Sequence, residues 1–179
     1  DGKITQREYL LESGRGERLL QQGRAGEAEK VFRALLSRLE GDADYDTRYD
    51  QTIALRGVGL CLMAQGRHMQ SAEYYRHAIT LAQGLEQTEI LKKNLAVIHT
   101  DLANALNEAG QYIVSRAEYE RGLSLAKEAN DDRQQGVALG NLGVLAMKQG
   151  DLNEARKRYL EALSLFQRMG EDQSEAVIW

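Results

Sequence analysis

One pattern recurs along this chain every 40 to 44 residues, and it limits the possible folds more than any other feature. Its clearest copy runs from Ala138 to Leu165, ALGNLGVLAMKQGDLNEARKRYLEALSL. Leu139, Leu142, Gly143 and Ala146 recur at helical spacing, and after Gly150-Asp151 the residues Leu152, Ala155, Tyr159, Ala162 and Leu163 do so again. Gly150 stands where a helix ends in a left-handed residue, so the stretch predicts two helices facing each other across a tight turn. Forty residues back the pattern reads Leu102-Ala103, Gly110-Gln111, Ser115, Tyr119, Gly122. A further 44 residues back it reads Val58-Gly59, Gly66-Arg67, Ser71, Tyr75, Ala78, and 43 more give Gly16, Gly23-Arg24, Ala28, Phe32, Leu35. Forward by 40, Leu139 maps onto Trp179, so four copies and the opening of a fifth cover nearly the whole chain.

Composition agrees with helices and removes several functions. The chain has no Pro, 6% aromatic, 42% hydrophobic and 28% charged residues. A net charge of −4 offers no basic face for nucleic acid. No apolar run reaches the roughly 18 residues that a membrane span needs, and no signal peptide is evident. The lone Cys61 forms no intrachain disulfide and fits a reducing compartment, so cytoplasm is the expected location. Asp1 is not an initiator Met, and Trp179 falls about two turns into a new helix, so the chain reads as a piece of a longer protein.

Taken in order, Thr5-Gln-Arg-Glu8 has the capping-box pattern and opens the first helix, which runs to Gly23. Its partner spans about Gly26 to Leu39, followed by the polar connection Gly41 to Asp46. The whole is expected to be one array over 1–179, with repeats at about 5–41, 46–84, 88–130 and 132–170. Residues 172–179 would open a fifth repeat, with Asp172-Gln-Ser-Glu175 as its cap.

The Leu-Gly pair in the first helix and Ala-x-x-x-aromatic in the second resemble the tetratricopeptide repeat (TPR) hairpin. Spacings of 40–44 exceed the usual 34 of that family, and its helix-ending Pro is absent. With the string LGNLG, this long-repeat form is similar to kinesin light chain, Pins-type adaptors and bacterial signalling TPR proteins. The resemblance implies an all-α solenoid of antiparallel hairpins forming a right-handed superhelix, with the first helices lining its concave side. Gly59, Ala103 and Gly143 are mid-helix small residues, where Gly is locally unfavourable. A side chain there would hold the two helices of a hairpin apart, and Tyr75, Tyr119 and Tyr159 fill the neighbouring space, with Gly16 in the same slot of the first hairpin.

Nothing in the sequence points to catalysis, and no cofactor is implied. His68, His77 and His99 have no metal-ligand spacing and read as packing histidines. Cys61 lies in an apolar helix without a nearby His, which favours an inert buried thiol. Asp42, Asp44 and Asp46 alternate like a calcium loop but lack its Gly and closing Glu.

Binding is the better reading. In TPR proteins the ligand usually lies along the first helices, and that face maps here onto Leu10, Ser13 and Glu17, then Ile53, Arg56, Leu60 and Met63. The third and fourth hairpins contribute Val97, Thr100, Asp101, Asn104 and Asn107, then Val137, Gly140, Asn141, Val144 and Met147, with Lys148 beside them. Steps of three and four put each set on one stripe, and Asn side chains can both donate to and accept from a peptide backbone. The Lys/Asn/Arg clamp of chaperone-binding members is absent, since Ser13, Glu17, Gly57, Val97 and Asp101 stand at its places. Leu60, Met63, Val144 and Met147 suit a partly apolar ligand. The expected function is a protein–protein interaction module, the scaffold or sensor part of a larger signalling or regulatory protein, that binds a peptide or protein segment in the concave groove. Neither nucleic acid nor membrane is an expected partner. The alternatives are a structural spacer that self-associates through its open C-terminal repeat, or the regulatory domain of an enzyme whose catalytic part lies elsewhere.

Overall fold

The structure is a computed structural model and describes residues 4–40 and 45–178. Among these residues the chain forms eight helices: α1 (Gln6–Gln21), α2 (Ala25–Leu39), α3 (Tyr45–Ala64), α4 (His68–Gln83), α5 (Glu89–Glu108), α6 (Tyr112–Glu128), α7 (Asp132–Lys148) and α8 (Leu152–Ile178). They divide into two compact units, residues 1–87 with α1–α4 and residues 88–179 with α5–α8. In each unit two helical hairpins stack: the helices of a hairpin pack on each other, and the second helix of the first hairpin packs on the first helix of the next.

The hairpin turns follow from glycine. Gly23, Gly66, Gly110 and Gly150 have φ of +75°, +76°, +79° and +78°, the left-handed region that an L side chain rarely adopts. At the fourth turn the Gly150 N–H donates to the Met147 carbonyl (3.0 Å) and the Asp151 N–H to Ala146 (2.9 Å), which satisfies the last carbonyls of α7. Asp151 then caps the next helix, its carboxylate accepting from the Glu154 N–H at 3.0 Å. Side chains open other helices in the same way: Thr5 and Glu8 form the expected capping box on α1, Thr88 caps α5 and Asp131 caps α7.

The core is built from rings seated against small residues. In unit 1, Phe32 of α2 lies between α1 and α3, where a Cβ on Gly16 would come within 2.7 Å of the ring and one on Gly57 within 2.5 Å. Either substitution would drive the helices apart. Gly59 is pressed against Tyr75 in the same manner, and Gly143 against Tyr159. The aromatic positions are equivalent in seat but not in cover. Tyr75 and Tyr119 are each 1% exposed, whereas Tyr159 is 41% exposed. The cause within unit 2 is that the backbone of α6 packs close to both α5 and α7, while that of α8 packs close to α7 and meets α6 through side-chain ion pairs.

One expected boundary does not occur. Residues 172–178 continue α8 and do not open a separate helix. Gly170 lacks the positive φ of the four turn glycines, and without that reversal the backbone hydrogen bonding runs on. Asp42, Asp44 and Trp179 lie outside the described residues.

Candidate protein-interaction face

The expected binding stripe on α5 and α7 lies within unit 2, and the structure brings its two halves into contact. Thr100 is 3% exposed; its hydroxyl donates to the Ala96 carbonyl at 3.0 Å and accepts from Gln134 Nε2 at 3.2 Å. Asn107 is 9% exposed and its Oδ1 accepts from Lys148 Nζ at 3.1 Å. Asn104 is half-buried, and its Oδ1 accepts from the hydroxyl of the buried Tyr119. Asp101 is half-buried beside them. Thr100 and Asn107 are therefore buried seam residues instead of open stripe positions, because Gln134 and Lys148 of α7 reach back over them. The carbonyl-bonded hydroxyl of Thr100 also backs onto Gly122 of α6, where an added Cβ would come within 2.9 Å of it.

On α7 the aligned positions stay open. Val137, Val144 and Met147 are 40%, 44% and 50% exposed, Lys148 is exposed, and Gly140 and Asn141 are half-buried among them. Val137, Val144 and Met147 follow one another at seven and three residues, so they share one side of the helix. Asn141, one turn on from Val137, lies along one edge of that side. An apolar stripe with one amide at its edge can bury side chains and fix a backbone at the same time.

The remaining expected residues, Arg56, Leu60 and Met63 of α3, belong to unit 1 and are half-buried. Met63 is engaged in its own hairpin, its sulfur 3.4 Å from His68 Nδ1 and 3.8 Å from Ser71 Oγ. In α1, Leu10 and Glu17 are exposed and Ser13 is half-buried.

His99 and Cys61 are packing residues. His99, 4% exposed, pairs through Nδ1 with Glu118 Oε2 at 2.7 Å between α5 and α6. Cys61 is buried, and desolvation, with the charge of Glu29 adding to it, pushes its thiol up to about 11. Among the described residues no group of three or more His, Cys, Asp or Glu could hold a metal ion. No helix among them is long and apolar enough to cross a membrane. Gln134 was missed in the sequence, because a residue one turn from a helix start carries no periodic signal for a bond to the previous hairpin.

Residues 94–168, from the middle of α5 to the middle of α8, match the family described as Tetratricopeptide repeat. Residues 94–168 carry tetratricopeptide repeats. Over 82 residues, 46% of the chain, it is 35% identical to SH3 domain and tetratricopeptide repeat-containing protein 2 of Homo sapiens, and it spans 6% of that protein's length. Three solved structures are similar in fold. Aspartyl phosphate phosphatase F from Bacillus subtilis has a TM-score of 0.76 at 20% identity, over 90% of this chain and 41% of that one. A putative kinesin light chain from Podospora anserina, with nearly identical TPR-like repeats, has a TM-score of 0.71 at 13% identity, over 88% of this chain and 74% of that one. A Rap protein complexed with competence and sporulation factor has a TM-score of 0.60 at 14% identity, over 94% of this chain and 57% of that one. These likenesses extend the TPR fold from the matched repeats to both units. The long-repeat form expected from the sequence is therefore the observed one.

Proposed function

We propose that these tetratricopeptide repeats form a protein-interaction module that holds a peptide or protein segment against the first helices, in the scaffold or sensor part of a larger signalling or regulatory protein. The observation that carries the reading is the open apolar side of α7, Val137, Val144 and Met147 beside Asn141. Three exposed apolar side chains on one helix side are costly to leave in water and gain on burial by a partner. The polar partners on α5 hold α7 in place and so preorganise that side. Asn141 remains at its border to meet a peptide backbone. A structural relative is complexed with competence and sporulation factor, which favours a bound partner for this fold. The proposal places the module in the cytoplasm, where the thiol of Cys61 stays reduced. No catalytic role is assigned to the chain.

The test is a peptide selected from a random display library against the full 179-residue chain, titrated by calorimetry against the chain and against Val144→Asp and Met147→Asp. Each variant puts a carboxylate into the apolar contact and should weaken binding tenfold or more, roughly 1.4 kcal/mol. Unchanged binding by both variants would remove the α7 side from the site.

A second reading rests on α8. Tyr159, Leu160, Leu163 and Phe166 are 41%, 54%, 53% and 46% exposed, an apolar face that a second copy could cover. Light scattering that gives a monomer mass at about 100 μM, a concentration at which weak self-association is populated, would reject this reading.

A further inference from the structure

A cavity of about 610 Å³ opens in unit 1 between α2, α3 and α4. α2 and α4 are the second helices of two neighbouring hairpins, and Gln51 and Leu55 line the cavity from α3; none of the lining residues belongs to the first-helix stripe. Its volume falls within the roughly 300–1,000 Å³ of small-ligand sites.

Two residues set this cavity apart from the matching place in unit 2. In unit 2 the equivalent seam between α6 and α8 is crossed by an ion pair, Arg158 Nη2 to Glu120 Oε1 at 3.6 Å. Aligned on the ring positions, Tyr74 stands in unit 1 where Arg158 stands in unit 2, and Arg33 where Glu120 does. Arg33 donates to the Tyr74 hydroxyl, and its guanidinium lies 5.1 Å from the centre of the Tyr74 ring. Its Nε donates to Glu29 at 2.7 Å. Arg33 is thus held against Tyr74 with its charge met by Glu29, and the seam beside it stays open.

The walls define a ligand. Leu36, Leu55 and Leu81 supply apolar surface from all three helices. Glu40, just past the end of α2, and Glu73 of α4 face the cavity, and neither forms an ion pair or side-chain hydrogen bond among the described residues. His77, one turn beyond Glu73, adds an imidazole to the same wall. With the Arg33 charge already paired, the unmatched charge on the walls is negative and the surface between is apolar. We propose that this cavity binds an organic cation with an apolar body, its ammonium or guanidinium group between Glu40 and Glu73 and its body on the three leucines. Such a cation is either a free amine or the basic side chain of a peptide.

The experiment is a methyl and amide NMR titration of the full chain at neutral pH with three matched probes: phenethylamine, 2-phenylethanol and 3-phenylpropanoate. The amine should move the Leu36, Leu55 and Leu81 methyl signals to saturation and bind at least tenfold more tightly than the alcohol, and the carboxylate should bind more weakly than either. Added salt should weaken the amine and leave the alcohol unchanged. In Glu40→Gln/Glu73→Gln, isosteric changes at exposed positions, the amine should fall to the affinity of the alcohol while the alcohol still binds. A lysine-phenylalanine dipeptide amide with an acetylated N-terminus separates the sources: binding as tight as the amine assigns the site to a peptide side chain, and no binding assigns it to free amines. The proposal is overturned if the amine moves none of these signals, if the carboxylate binds as well, or if the double variant keeps the preference for the cation.

Discussion

Thr100, Asn104 and Asn107 of α5 align with Gly140, Val144 and Met147 of α7, and the two helices put these places to different uses. On α5 each polar side chain is committed inside the unit, to Gln134, Tyr119 and Lys148. On α7 the same places hold a bare backbone and two exposed apolar side chains. The difference is one of neighbours. Next to α5 lies α7, whose side chains reach back over it; α7 itself packs on α6, α8 and α5, with no further first helix among the described residues. A position that looks like binding surface in one repeat is therefore a joint between repeats in another.

The largest expected effect tests the cover that a neighbour provides. Tyr119→Ala should cost roughly 3–5 kcal/mol, as for a core aromatic, and Tyr159→Ala should cost about half as much or less because much of that ring is already in water. Thermal or urea melts of the two variants measure the pair. Equal losses would mean that the extra cover over Tyr119 adds nothing.

Next comes the aligned pair Asn104 and Val144. Asn104→Ala leaves the buried Tyr119 hydroxyl without its acceptor and should cost about 1–3 kcal/mol, whereas Val144→Ala at the open place should stay within about 0.5 kcal/mol. If Asn104→Ala is as mild as Val144→Ala, the amide is a surface group and not a joint.

A smaller effect distinguishes the seams at low pH. In unit 1 burial pushes Glu29 up, but hydrogen bonds from Arg33 and Gln65 and the charges of Arg33 and Arg67 together bring it below the ordinary 4.5. In unit 2 the hydrogen bond from Arg158, against opposing desolvation, lowers Glu154, with the charges of Arg158, Lys157 and Arg116 adding to it. A carboxylate lowered by folding contributes stability that is present above its unfolded value and lost as pH falls through the folded one. Glu29→Gln and Glu154→Gln should each lower the melting temperature slightly at pH 7, by less than about 1 kcal/mol of stability, and the gap to the parent chain should close below the ordinary 4.5. A gap that widens with acid would reverse the assigned sign.

The smallest effect is chemical. With its thiol pushed up to about 11 by burial, Cys61 should resist alkylation in the folded chain at pH 8 and react once urea unfolds it. Rapid labelling of the folded chain would mean that α3 opens readily.

The sequence carried most of the fold because each deciding signal is local or repeated. Four glycines at fixed places set the turns, Thr5 and Thr88 set helix starts, and small residues set the seats for Phe32, Tyr75 and Tyr159. The site was legible only in part. Helical periodicity puts Thr100 and Asn107 on the same side as Asp101 and Asn104, but their burial depends on Gln134 and Lys148, 34 and 41 residues away. The unit 1 cavity is lined from three helices, with Arg33 and Tyr74 where unit 2 has Glu120 and Arg158, a juxtaposition that no single-helix pattern encodes. The continuation of α8 through 170 was hidden because a glycine in sequence does not declare its φ.

The central claim is that the open side of α7 receives the partner. Its most direct test is the affinity of the library-selected peptide for Val144→Asp compared with Ile113→Asp, which changes an 82% exposed residue on α6. Both places are open, so both variants should melt with the parent chain. The account predicts a loss of tenfold or more for Val144→Asp and none for Ile113→Asp. Equal affinity for the two variants, or a loss confined to Ile113→Asp, would contradict it.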